Sequence, residues 1–210
     1  MDTLYSYAGN SVYFFQAILA FIGAYALIMV WRRASNTAFD DEDEQNEFLA
    51  ELEQALSSRN YSGAAELAAG DRRTLPQLAL FAVENRDLGY AQLRARVAER
   101  FQQDVMADIE HRLSWVGTAI KTEPMLGLLG TVMGMMGAFA NLASGEKVDP
   151  TRMAEDIQFA LITTAVGLSI AVPLMVGLAS VNIRIRKMED LTGTGLSRLF
   201  ETLKRSLPRL

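Results

Sequence analysis

Cysteine is absent from the 210-residue sequence, and histidine occurs once, as His111. Without cysteine the chain can form neither a disulfide framework nor a thiolate metal site. His111 lies among charged residues with no second histidine, so we interpret it as a surface or interface residue rather than a ligand. The sequence also lacks a Gly-Lys-Ser/Thr phosphate-binding motif and any cluster of acids, bases and nucleophiles. It therefore predicts no enzyme, no metal site and no cofactor.

Charged residues are also scarce, at 21 % of the sequence against ~25 % in average proteins. They are missing altogether from three windows, which span residues 12–31, 125–144 and 157–183. A helix of twenty residues extends ~30 Å, which is enough to cross the hydrocarbon layer of a membrane. The sequence therefore predicts an all-α membrane protein with three transmembrane helices.

The first window could also be read as a secretory signal peptide. That reading needs a positively charged leader and a shorter apolar stretch, whereas this window is preceded by Asp2 and by no Lys or Arg. Arg32 and Arg33 follow the window directly, as expected for a membrane anchor whose carboxyl end stays inside the cell. We interpret the window as the first transmembrane helix.

Lysine and arginine are distributed unevenly among the segments that flank the windows. Residues 1–11 contain none and the loop 145–156 contains two, whereas residues 32–121 contain eleven and the tail 184–210 contains seven. Because basic residues accumulate on the cytoplasmic side, we expect the N-terminus and the short loop to face outward. Residues 32–121 and the tail are then cytoplasmic. A net charge of −5 argues against nucleic acid as a partner.

The cytoplasmic segment has the pattern of a helical domain. An acidic run at residues 40–47 fits a solvated linker or a helix start better than a binding site. From Tyr90 to Ile120 apolar residues recur every three or four positions, which predicts one long amphipathic helix. This helix leads towards the second window. We therefore expect long helices that extend from the membrane into a cytoplasmic helical domain, with bends at Pro124 and Pro173.

Small residues line one face of the second and third windows. A helical glycine costs about 1 kcal/mol relative to alanine, yet the second window contains four glycines at spacings of 3, 4 and 3. In lipid, helices associate through close backbone packing, which small residues permit. We therefore predict packing, within a subunit or between subunits, through two small-residue faces: Gly127, Gly130, Gly134 and Gly137 in one helix, and Ala160, Thr164, Gly167 and Ala171 in the other.

Two threonines, Thr131 and Thr164, lie on or beside these faces. Each hydroxyl can donate a hydrogen bond to a carbonyl one turn earlier in its own helix, which would make it a structural residue. Alternatively, both threonines line a narrow polar path across the membrane. Such paths usually need an ionisable residue, and none lies within the three windows. A proton pathway here would therefore need a carboxylate from another chain.

The segments "PMLGLLGTVMGMMGAF" (124–139) and "ALITTAVGLSIAVP" (160–173) resemble the paired signatures of the MotA/TolQ/ExbB proton-channel family. The order of segments is similar too: an outward N-terminus, one helix, a cytoplasmic domain, two helices and a cytoplasmic tail. Three windows fit the ExbB/TolQ-like branch better than the four-helix flagellar stators. The resemblance covers the second and third windows.

This resemblance implies a subunit of a bacterial inner-membrane proton channel or motor, which converts proton motive force into mechanical work for transport or envelope processes. It implies a homopentamer around a pore that holds two single-span partners of the ExbD/TolR type, each with a membrane aspartate. By residue-wise correspondence, Thr131 and Thr164 are pore-lining positions that face this aspartate. Thr163 occupies a position that is often threonine or alanine, so it is a further candidate.

The sequence also departs from the family pattern. ExbB and TolQ commonly have glutamate five residues before the second threonine, where this chain has Phe159. The contribution of that glutamate is therefore not carried over. The alternative to a motor subunit is a non-conducting membrane scaffold that assembles and recruits a partner protein. A small-solute transporter is disfavoured because the windows contain no charges and the sequence has no inverted repeats.

Overall fold

A computed structural model describes residues 2–39, 41–143 and 150–206 of the chain. These residues form α1 (Asp2–Thr37), α2 (Glu42–Ser57), α3 (Tyr61–Ala68), α4 (Thr74–Glu84), α5 (Tyr90–Phe101), α6 (Ala107–Ala143) and α7 (Pro150–Ser206). A 3₁₀ turn at Arg86–Leu88 precedes α5, and a π-helical segment at Gln102–Met106 joins α5 to α6. No strand occurs in the described ranges, and the predicted all-α class is confirmed.

Three helical stretches are long and apolar enough to cross a membrane: Ser11–Thr37, Tyr90–Ala140 and Pro150–Ser206. This confirms the prediction of three long apolar helices. Helix α6 continues through Pro124 and α7 continues through Pro173. The helix bends expected at these two prolines stay predictions.

The helices extend beyond the uncharged windows at several ends. Helix α1 begins at Asp2, and α7 begins at Pro150, so residues 150–156 of the expected outward loop form the first turns of a helix. Proline suits a first turn because its missing N–H would have no helical acceptor there and its φ is already helical. Residues 144–149, which include the rest of that loop, and residues 207–210 of the expected tail lie outside the described residues.

The described residues form two compact units, one within residues 1–28 and 112–179 and one within residues 29–111 and 180–210. The first unit consists of segments of the three long helices. Its α6 segment runs antiparallel to α7, because Gly127 approaches Thr164 whereas Gly134, further along α6, approaches Ala160. The small-residue faces therefore lie within this unit.

The second unit buries an apolar core between its short helices and the end of α7. Leu49, Leu52 and Leu56 recur at helical spacing in α2, and each side chain is at most 1 % exposed. Residues of α3, α4 and α5 join them, as does the last part of α7. The main cluster comprises Leu52, Leu56, Ala64, Leu78, Ala79, Ala82, Val83, Leu93, Val97, Leu199, Phe200 and Leu203.

The acidic run of the sequence opens helix α2. Asp41 caps the helix by accepting a hydrogen bond from the backbone N–H of Glu42 at 2.8 Å. Glu42, Asp43 and Glu44 form the first turn, where the partial positive charge of the helix terminus stabilises carboxylates. The run is thus a helix start.

Arg73 joins two carboxylates and an aromatic ring in the second unit. Its guanidinium forms ion pairs with Asp71 at 2.7 Å and with Glu44, and lies 3.9 Å above the ring centroid of Phe39. Partial burial acts to raise the pKa of Asp71, but hydrogen bonds from the side chain and backbone of Arg73 outweigh it. The pKa of Asp71 therefore lies below its ordinary value of 3.8.

Candidate functional site

The glycine face of α6 lies directly against α7 in the three-helix unit. A Cβ atom built on Gly127 would lie 2.8 Å from the Cα of Thr164, and one on Gly130 would lie 2.6 Å from the Cβ of Thr163. A Cβ on Gly134 would lie 2.8 Å from the Cβ of Ala160. These separations are too short for real side-chain contacts, so glycine at these positions is what permits the close approach of the helices.

Two of the candidate threonines meet at the carbonyl oxygen of Gly127. Thr164 donates its hydroxyl hydrogen bond to this oxygen at 3.0 Å. The hydroxyl of Thr163 lies 3.4 Å from the same oxygen and 2.9 Å from the carbonyl oxygen of Ala160 in its own helix. Thr163 is fully buried, whereas Thr164 is half-buried. The hydroxyl of Thr164 thus connects the two helices rather than bonding back within its own.

Thr131 has a different arrangement. Its hydroxyl donates to the carbonyl oxygen of Leu128, 2.6 Å away in the same helix. This is the structural alternative considered for both threonines, and in the single chain it describes Thr131 but not Thr164. The side chain of Thr131 is half-buried, so it keeps one side accessible.

Helix α1 adds an amide group to this region. Gln16 is 1 % exposed, and its Nε2 donates a hydrogen bond to the backbone carbonyl of Thr163 at 3.0 Å. A Cβ on Gly167 would lie 3.0 Å from the same Nε2 and 2.5 Å from the backbone oxygen of Glu123. Because Gly167 has no side chain, α1, α6 and α7 can approach one another closely at this point.

Sequence reasoning missed Glu123, which lies two residues before the second uncharged window. Its side chain is fully buried, and neither carboxyl oxygen has a hydrogen-bond partner. The sequence did contain a signal, because Glu123 lies one helical turn before Gly127 and so extends the small-residue face. It lies outside the uncharged window 125–144, so that window gives no indication of a charged group.

The opposite end of the same interface contains an aromatic pair and an acid. Phe159, at the position of the family glutamate, packs edge to face on Tyr13 of α1 with ring centroids 5.5 Å apart. A Cβ on Gly137 would lie 3.3 Å from Oδ2 of Asp156, so this carboxylate adjoins the last glycine of the face. An acidic residue thus lies near the family position, although not at it.

The remaining candidates also lie in this unit. Ala160 and Ala171 are 2 % and 3 % exposed. Across residues 2–39, 41–143 and 150–206, no group of three or more His, Cys, Asp or Glu side chains is placed to hold a metal ion. The site therefore offers hydroxyl and amide groups between apolar helices, with one carboxyl side chain at each end.

Three helices of membrane-spanning length and a polar cluster between them define a multi-pass membrane protein. The sequence profile of the MotA/TolQ/ExbB proton channel family matches residues 79–192, which is more than half of the chain and includes every candidate threonine. The chain belongs to this family, as its paired motifs predicted. The family consists of channels, in agreement with the prediction that the chain is not an enzyme.

Several curated relatives are similar over the same region. The Tol-Pal system protein TolQ of Haemophilus influenzae is 33 % identical over 82 residues, which are 39 % of this chain and 36 % of the relative. The TolQ protein of Pseudomonas aeruginosa is 38 % identical over 68 residues, 32 % of this chain and 29 % of the relative. The biopolymer transport protein ExbB of Pseudomonas putida is 36 % identical over 87 residues, 40 % of this chain and 26 % of the relative. The matched segments span between 26 % and 36 % of these three proteins.

Proposed function

We propose that the chain is a subunit of a proton channel that, with an ExbD/TolR-type partner, converts proton motive force into mechanical work for transport or envelope processes. The observation that carries this proposal is the cluster of polar side chains, Gln16, Thr163 and Thr164, between helices whose windows contain no charge. Family membership supports it, because the match covers both motifs.

The proposed assembly is a homopentamer around a pore. Large apolar side chains are exposed along all three helices, including Phe21 at 77 %, Met125 at 67 % and Ile183 at 70 %. Lipid covers such side chains where they face the bilayer, and neighbouring subunits cover those that face one another. Two single-span partner helices, each with a membrane aspartate, would occupy the pore.

In the proposed mechanism the partner aspartate takes up a proton from the outer face and holds it beside Thr131 and Thr164. Thr163 lies beside Thr164 within the subunit, with its hydroxyl near the same carbonyl oxygen of Gly127. Protonation of a buried carboxylate removes its desolvation penalty, so it changes which subunit the partner helix prefers.

The proposed location is the bacterial inner membrane, with the N-terminus periplasmic and the C-terminus cytoplasmic. The lysine and arginine distribution supports this orientation. Because the chain contains no cysteine, single cysteines can be introduced and labelled with a membrane-impermeant maleimide. Ser6→Cys should be labelled in intact spheroplasts, and Ser57→Cys only after the membrane is broken. The reverse pattern would contradict the proposed orientation.

The test of the assembly is native mass spectrometry of the detergent-purified protein, alone and after co-expression with a candidate single-span partner. Five copies that gain two partner chains would support the motor proposal. A monomer, a dimer or an even-numbered ring that ignores the partner would overturn it.

A non-conducting scaffold is the second candidate. It is favoured by one observation: the hydroxyls of Thr131, Thr163 and Thr164 all have protein acceptors in the single chain. Proton uptake into vesicles distinguishes the two functions. A channel requires the partner aspartate for uptake, whereas a scaffold still binds the partner and shows no uptake with it.

A further inference from the structure

The carboxyl group of Glu123 is the one ionisable side chain that lies fully buried in the three-helix unit as described. Its exposed fraction is zero, and both carboxyl oxygens lack a hydrogen-bond partner. Burial of a carboxylate without a compensating partner is costly, and a carboxyl group avoids this cost by holding a proton. The surroundings therefore favour the neutral acid.

Among the described residues of this unit, Gln16 has the other buried side-chain oxygen without a hydrogen-bond partner. Its Nε2 is occupied by the carbonyl of Thr163, while its Oε1 is buried and has no partner. Gly167 lies against both Gln16 Nε2 and the backbone oxygen of Glu123, so closely that a Cβ atom would have no room there. The two residues with unpartnered buried oxygens thus adjoin the same glycine. A protonated carboxyl can donate a hydrogen bond, and Gln16 Oε1 can only accept one.

Charged groups on the neighbouring helices do not offer an alternative partner. Helix α1 has no charged residue between positions 12 and 31, and its titratable groups there are Tyr13 and Tyr25. Helix α7 has no titratable residue between positions 157 and 183. Lys121, on α6 itself, is exposed.

The position of Glu123 connects it to the threonine cluster. Gly127, whose carbonyl accepts from Thr164, lies four residues further along α6, a rise of about 6 Å. Gln16 lies near both places, because its Nε2 donates to the backbone carbonyl of Thr163 and, like the backbone oxygen of Glu123, adjoins Gly167. Ionisable residues at membrane depth commonly mark proton relays.

We propose that Glu123 is a proton-binding site supplied by each subunit itself, with Gln16 as the acceptor for the protonated carboxyl, adjacent to the Thr163–Thr164 cluster. The site adds a carboxyl group to a pathway that was expected to depend on carboxylates of a partner alone. It binds one proton when the carboxylate becomes the acid and releases it in the reverse step. This role deepens the proposed channel function and depends on it for the pathway.

The test uses the purified full chain in detergent without a partner, and a hydrophobic carbodiimide that reacts with protonated carboxyl groups in apolar surroundings. Peptide mass spectrometry should locate the adduct at Glu123, and its yield should fall as pH rises. Glu123→Gln should abolish the adduct, and Lys121→Gln, which changes an exposed charge two residues away, should leave it unchanged. Gln16→Leu, which removes the acceptor, should lower the pH at which labelling is lost.

Two results would overturn the proposal. One is the absence of an adduct at Glu123 at every pH while the protein keeps its native helicity. The other is protection of Glu123 by sodium at constant pH, which would identify a metal-cation site instead. If Glu123→Gln does not fold, Glu123→Asp, which retains the carboxyl group, provides the labelled comparison. Labelling at Glu123 combined with a failure of proton uptake with any partner would leave this site standing and would remove the channel function.

Discussion

The hydroxyl of Thr164 in α7 donates a hydrogen bond to the backbone oxygen of Gly127 in α6, across 3.0 Å. The same oxygen is one turn before the backbone N–H of Thr131, which is its regular helical donor. A carbonyl oxygen has two lone pairs, so both bonds can form together. The two motifs of the family are thus joined at one atom, and this atom is reachable only because Gly127 has no side chain.

Thr164→Val should abolish partner-dependent proton uptake with little loss of stability. Valine keeps the shape of threonine and removes the hydroxyl, and the loss of one such hydrogen bond costs about 0.5–1.5 kcal/mol. Proton uptake by reconstituted vesicles and thermal unfolding in detergent measure the two effects. Thr118→Val is the control, since Thr118 bonds back to Ser114 at 2.8 Å on an exposed surface. Normal uptake by Thr164→Val would remove this threonine from the pathway.

Gly130→Ala should separate α6 from α7. The added methyl group would lie 2.6 Å from the Cβ of Thr163, and overpacking of this kind typically costs about 1–3 kcal/mol. Gly117→Ala in the same helix is the matched control, because its methyl group would have no atom within 4 Å. Alanine there should be neutral or stabilising by up to about 1 kcal/mol. Equal thermal stability of the two variants in detergent would contradict the packing described.

The glycine spacing of 3, 4 and 3 was enough to predict a smooth face on α6 and its counterpart on α7. In the structure Gly127, Gly130 and Gly134 all lie against α7. The spacing could not indicate whether this contact is made within one subunit, because a small-residue face fits either partner equally well.

The contribution of α1 was harder to predict. Gln16 lies alone among apolar residues, and nothing in its local pattern indicates that it reaches the backbone of Thr163. Contacts between residues 147 positions apart depend on how three helices pack, which local periodicity does not encode. For Glu123, the spacing to Gly127 was enough to predict that it extends the glycine face. The spacing was not enough to predict that its side chain is buried.

The ion pair of Asp71 with Arg73 should make stability depend on pH in the acid range. The pKa of Asp71 in the folded chain lies below its ordinary value of 3.8, so the pair contributes fully above that value and is lost as pH falls through the lower, folded-state pKa. Asp71→Asn should reduce the unfolding free energy at neutral pH by about 0.2–1 kcal/mol. Thermal unfolding as a function of pH measures this difference.

The difference between wild type and Asp71→Asn should shrink towards zero as the solution becomes more acidic than the folded-state pKa. Glu201→Gln is the control, because its ion pair with Arg205 is long, at 4.0 Å, and both side chains are largely exposed. That variant should show no comparable pH dependence. A constant difference across the whole acid range would show that Asp71 acts through packing rather than through charge.

Leu203→Ala should destabilise the second unit, because Leu203 near the end of α7 is fully buried in the core formed with α2 to α5. Truncation of a buried leucine leaves a cavity and costs about 2–5 kcal/mol. Leu67→Ala is the matched control, since Leu67 is 41 % exposed and its truncation should change stability by no more than about 0.5 kcal/mol. Limited proteolysis within residues 41–101, followed by mass spectrometry, measures the loss of protection. Equal protection of the two variants would mean that the end of α7 does not stabilise this core, and the long helix would then have to be held by contacts elsewhere.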